Sequence, residues 1–132
     1  MSMLVVVVVV VAMLAVAVAY LARVQRNSTR WPSDAEGLAE LRRNGIDLSK
    51  PRAFEFYLHF PSREIALKAE RVIADEGYEV QVSAGPGLPV AILCATKSLV
   101  PREEELRAVR AQLVALSHKF GGSYEGWFAA AP

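Results

Sequence analysis

From Met1 to Ala22 the chain carries not one Asp, Glu, Lys or Arg, and Val5 to Val11 are seven consecutive valines. A run of this kind restricts the folds open to it more than any other feature. The hydrocarbon core of a bilayer is about 30 Å thick, and roughly 20 apolar residues at ~1.5 Å rise each cross it as a helix. Valine is a poor helix former in water. In lipid, however, a lone extended strand leaves its amides unpaired, so a single span has to be helical. The competing reading is a cleaved secretory leader, for which Ala15-Val16-Ala17 has the small-x-small pattern. The lack of Lys or Arg ahead of Leu4 counts against it. A retained transmembrane helix over residues 1–22 is the expectation.

Arg23, Arg26 and Arg30 follow the run, and the first acidic residue is Asp34. This asymmetry predicts a cytoplasmic location for everything beyond the span, and the three arginines can also meet anionic headgroups. Residues 23–32 read as a basic linker ending in Trp31-Pro32. Three of the 15 basic residues lie in it, which leaves twelve against all 14 acidic residues over 33–132, a net charge near −2. A slightly acidic domain lacks the long-range attraction behind sequence-independent nucleic-acid binding. The lone cysteine, Cys94, has no intramolecular disulfide partner and falls in the apolar run Val90 to Ala95, as a small buried hydrophobe would.

About 100 residues suffice for one domain with a single core. Ser33 and Glu36 have capping-box spacing, Ala35, Leu38 and Leu41 form a stripe, and Asn44-Gly45 signals a stop; together they predict a short helix. Phe54, Phe56, Leu58 and Phe60 then alternate with Glu55, Tyr57 and His59, the period of a strand with one face buried. Ser62 caps a second helix with a stripe of Ile65, Ala69, Val72 and Ile73, ended by Gly77. Tyr78, Val80 and Val82 mark a second strand, and Val90 to Thr96 is apolar enough for a central one. Pro101 reads as a first-turn proline ahead of Glu103, Glu104 and Glu105 at the positive end of a helix dipole. Leu106, Val109, Leu113, Leu116 and Phe120 form that helix's stripe, and Gly121-Gly122 ends it before a last strand over Ser123 to Phe128. The order is one helix followed by β-α-β-β-α-β. It predicts an α+β, ferredoxin-like domain with the first and third strands central and the strands holding Glu79 and Glu125 at the edges.

Reaction chemistry is sparse. His59 and His118 fall on different elements, and no Cys/His spacing suits zinc. His118 and Lys119 sit where a helix C-terminus favours cations, and His59 lies on the polar side of the first strand, facing solvent or a partner. Gly122 to Gly126 lacks the spacing of a nucleophile elbow. Gly85-Pro86-Gly87 offers a phosphate one amide too few and opens no helix. Split β-α-β sheets often bind RNA, but the third strand carries no aromatic residue for stacking and only Tyr57 offers a ring. No catalytic residue, metal or cofactor is expected, and no small-molecule substrate.

The most specific segment is Lys119-Phe120-Gly121-Gly122-Ser123-Tyr124-Glu125-Gly126-Trp127. It resembles the closing motif of the bacterial ribonuclease E inhibitor family (regulator of ribonuclease activity B), Phe-Gly-Gly-x-Tyr-Asp/Glu-Gly-Trp. Leu41 to Arg52 ahead of an aromatic strand, Phe60-Pro61-Ser62 and Gly77-Tyr78-Glu79-Val80 are similar too, so the likeness runs from about Ser33 to Phe128. The chain departs from soluble members of that family in its N-terminal run and in a domain close to neutral. The resemblance implies a non-enzymatic protein that binds ribonuclease E, or a related RNA-decay component, and inhibits its endonuclease activity; the uncharged run and the arginines after it place it in the bacterial inner membrane. Candidate contacts are Glu55, Tyr57 and His59 on the open sheet face and Tyr124, Glu125 and Trp127 in the closing motif, although aromatics such as Tyr124 and Trp127 are more often core residues. Arg42, Arg43 and Arg52 are further exposed candidates. A generic membrane-associated scaffold module and a direct RNA binder are the alternatives.

Overall fold

A computed structural model describes residues 34–129, with Met3 and Val7 besides. The helix expected over Met1–Ala22 otherwise lies outside the described residues, as do the 23–32 linker and the Ser33 cap. Among the described residues no helix is long and apolar enough to cross a membrane.

The elements are α1 (Asp34–Arg43), β1 (Arg52–Phe60), α2 (Arg63–Asp75), β2 (Glu79–Ser83), β3 (Ala91–Leu99), α3 (Glu103–Lys119) and β4 (Ser123–Ala129). The strands form one antiparallel sheet in the order β2-β3-β1-β4, the split β-α-β arrangement with β1 and β3 central. Both central strands run nine residues and pair along their whole length, Arg52 opposite Leu99 through Phe60 opposite Ala91. The inward residues of β1 (Phe54, Phe56, Leu58 and Phe60) and of β3 (Ala91, Leu93 and Ala95) pack under α2 and α3. Phe54, Phe56, Leu58, Leu93 and Ala95 are fully buried.

α2 begins as its sequence requires: the Ser62 hydroxyl accepts from Ile65 N at 3.2 Å. Its deepest residues are Ala66, Ala69 and Ile73, with Ile65 partly buried at the rim. α3 starts later than Pro101 suggests. Arg102 is the N-cap residue, so the proline precedes the helix and lies buried against it. The buried stripe of α3 is Leu106, Val109, Leu113 and Ser117, and Leu116 and Phe120 only edge the core. Ser117 is fully enclosed because its hydroxyl bonds back to the Val114 carbonyl at 2.8 Å.

α1 differs most from its expected stripe. Asp34, Gly37, Leu38 and Leu41 are the buried residues, whereas Ala35 is exposed. The helix stops at Asn44-Gly45, where Ile46 N reaches back to the Leu41 carbonyl at 3.1 Å.

Candidate functional site

The closing motif is held by one device after another. Gly121 and Gly122 end α3, and Gly122 N donates to the Ser117 carbonyl at 2.8 Å. A Cβ on Gly122 would stand 2.3 Å from the His59 carbonyl oxygen and 2.5 Å from the Phe60 ring, so the chain can turn into β4 there only without a side chain. The pairing of β4 with β1 then shifts: Tyr124 lies opposite Leu58 but Gly126 opposite Tyr57, leaving Glu125 as an extra residue. This is a β-bulge, with Gly126 at φ +129°. In a regular strand, residues three apart point to opposite faces. The bulge instead turns Tyr124 and Trp127 both onto the helix-covered face, where Trp127 is buried and Tyr124 packs against the same core.

Trp127 joins the first helix to the last strand. Its indole Nε1 donates to Asp34 Oδ1 at 3.0 Å, and Arg110 of α3 donates to the same oxygen. Asp34 is 5% exposed, so this carboxylate is a buried charge met by one cation and one neutral donor. The indole ring stands edge-on to Phe54, centroids 5.2 Å apart at 73°. The Tyr124 hydroxyl is enclosed without a hydrogen-bond partner. Burial holds its pKa above the ordinary tyrosine value, and the nearby Asp34 charge adds to the rise.

On the opposite sheet face the expected contact residues are placed differently from one another. Tyr57 is 7% exposed, correcting the expectation of an open aromatic: it forms a second apolar cluster with Ile92, Val90, Cys94 and Phe128. Its ring meets Phe128 edge-on at 5.5 Å, and its hydroxyl donates to Glu55 at 3.2 Å. Cys94 is partly rather than fully buried, 3.9 Å from the Thr96 hydroxyl. His59 and Glu125 come together across β1 and β4, Nδ1 to Oε1 at 3.5 Å, and both are about a quarter exposed or less. The Ser123 hydroxyl donates to the same Glu125 oxygen at 2.7 Å. The carboxylate thus stands between hydroxyl and imidazole. A nucleophile–base–orienter relay needs the imidazole in the middle.

Arg42 and Arg43 are exposed as expected, and Arg43 pairs with Glu40. Arg52 is instead partly buried at the start of β1, with its Nε enclosed and unbonded. Among the described residues no group of three or more His, Cys, Asp or Glu side chains could hold a metal ion. Asp34 and Arg110 are the positions that sequence reading missed. An aspartate at a helix start has an ordinary dipole role, and nothing local marks it as the acceptor of a tryptophan 93 residues away.

A search of curated proteins finds no match. The family model described as regulator of ribonuclease activity B matches residues 31–128, nearly the entire described domain. The matched span includes every residue of the Asp34–Arg110–Trp127 junction, the Gly121-Gly122 turn and the bulge. The chain belongs to the regulator of ribonuclease activity B family.

Proposed function

We propose that this chain is a membrane-anchored, non-catalytic regulator that binds ribonuclease E, or a related RNA-decay component, and lowers its endonuclease activity by protein contact. The family match over residues 31–128 carries the reading, because that family regulates ribonuclease activity. The closing motif supports it: Gly122 makes room for the turn into β4, and Tyr124 and Trp127 pack against the core. The uncharged run Met1–Ala22 followed by Arg23, Arg26 and Arg30 supports an anchor in the bacterial inner membrane with the domain on the cytoplasmic side. Anchoring would raise the effective concentration of the regulator near a membrane-held nuclease without adding a contact. Exposed Arg42 and Arg43 and the partly exposed Glu55, His59 and Glu125 are the contact candidates. Tyr57 and Trp127 are already covered and act through the fold.

The test is RNA cleavage by purified ribonuclease E with and without the full chain in lipid nanodiscs. Slowed cleavage that persists at moderate salt, with no RNA shift by the chain alone, is the expected result. Capture of ribonuclease E without any change in rate would instead mark a scaffold module. A salt-sensitive RNA shift by the chain alone would mark a direct RNA binder.

A further inference from the structure

The first helix and the start of α3 enclose an open groove of about 600 Å³. Its apolar lining residues are Ala35, Leu38, Ala39, Leu48 and Pro101. Ala35, which its spacing assigns to the core, is exposed and contributes with Ala39 to the apolar part of this lining. Arg42, Arg102 and Arg107 stand on the rim with Glu103 and Glu104. Arg107 is taken up by Glu103 at 3.3 Å. Arg42 and Arg102 make no ion pair with any described residue, and the Arg102 side chain does not cap α3 although its backbone holds the cap position. The rim is therefore net positive by one charge in a domain whose net charge is near −2.

We infer that this groove docks a short peptide segment of a protein partner, one with an apolar anchor flanked by carboxylates. The volume lies in the range of about 300–1,000 Å³ typical of ligand clefts, far larger than a single anion needs. The apolar lining takes the anchor, and Arg42 and Arg102 take the flanking carboxylates, Arg being suited to bidentate pairing. Nucleic acid fits less well. A single strand needs rings to stack on, and the apolar lining is alanine, leucine and proline. The inference rests on the reading that the chain works by protein contact, and names the surface that does so.

The experiment uses the full chain in nanodiscs of zwitterionic lipid and three fluorescein-labelled peptides: Asp-Glu-Leu-Leu-Asp-Glu, its amide version with Asn and Gln, and its basic version with Lys. Fluorescence anisotropy should show the acidic peptide binding at least tenfold more tightly than the amide version. R42E/R102E should lose that preference and favour the basic peptide, A35W should block all three, and R63E/R71E on α2 should change nothing. Circular dichroism checks that each variant is folded. Equal binding of acidic and amide peptides, acidic binding that survives R42E/R102E, or displacement of the acidic peptide by an oligouridine would each overturn the inference. Capture of ribonuclease E is measured alongside. If wild type captures it and R42E/R102E does so equally, the groove fails while the regulator reading stands. If wild type does not capture it, the regulator reading fails and the peptides still judge the groove.

Discussion

Gly122 and Trp127 carry specific duties that can be measured one substitution at a time. Gly122→Ala drives a methyl group into the His59 carbonyl and the Phe60 ring, both fixed by the central strand, and should cost about 1–3 kcal/mol in denaturant unfolding. A neutral outcome would mean that β4 can slide away from β1. Trp127→Phe keeps the packing on Phe54 but leaves the buried Asp34 carboxylate short of one donor, at a cost of about 1–3 kcal/mol. Asp34→Asn combined with Trp127→Phe should cost less than the two single changes together, since the charge needing the donor has gone. From the sequence, the two glycines and the two aromatics are visible as a motif. Their division into core and surface is not, because one inserted residue at Glu125 reverses which side Tyr124 faces and leaves composition unchanged.

At the scale of elements, the periods of two and 3.6 place the four strands and the two long helices in order, and the Ser62 cap and both central strands follow directly from them. The misreadings fall where a buried position is not apolar. Asp34, Gly37 and Ser117 are enclosed by virtue of partners or small size, and a hydrophobic stripe cannot register them. Pro101 fails for a different reason: proline suits the residue before a cap as readily as a first turn. One junction between elements is expected to respond to pH. Tyr78 donates to Gln112 at 2.9 Å, Gln112 donates to Glu76 at 3.0 Å, and Lys97 lies 4.7 Å from the tyrosine ring centre. This strap ties the end of α2 and β2 to α3. Burial, with the Glu76 charge second, pushes the Tyr78 pKa up to about 12 from 10.0. The folded state thus holds its proton more tightly than the unfolded one, so the contribution is complete below about pH 10 and fades as pH climbs toward 12. Denaturant midpoints measured from pH 8 to 11.5 should fall over the upper part of that range, and less steeply in Tyr78→Phe. A parallel fall in both proteins would assign the loss elsewhere, the buried Tyr124 hydroxyl being the next candidate.

For the molecule as a whole, the proposed anchor makes a prediction independent of any partner. Removing residues 2–22 should move the chain from the membrane fraction to the supernatant of lysed cells while leaving the fold intact by circular dichroism. In the intact chain, a protease added to spheroplasts should leave the domain uncut. Cleavage there would reverse the proposed orientation. The Asp34 junction also bears on how such a tether would transmit force. Asp34 is the residue from which the chain leaves toward the linker, and it is fastened both to the final strand through Trp127 and to α3 through Arg110. A pull from the bilayer would therefore not peel away the first helix alone. It would be shared at once with the opposite end of the polypeptide, as a knot shares load between two ropes, so that lateral drag on the protein would be borne by the sheet.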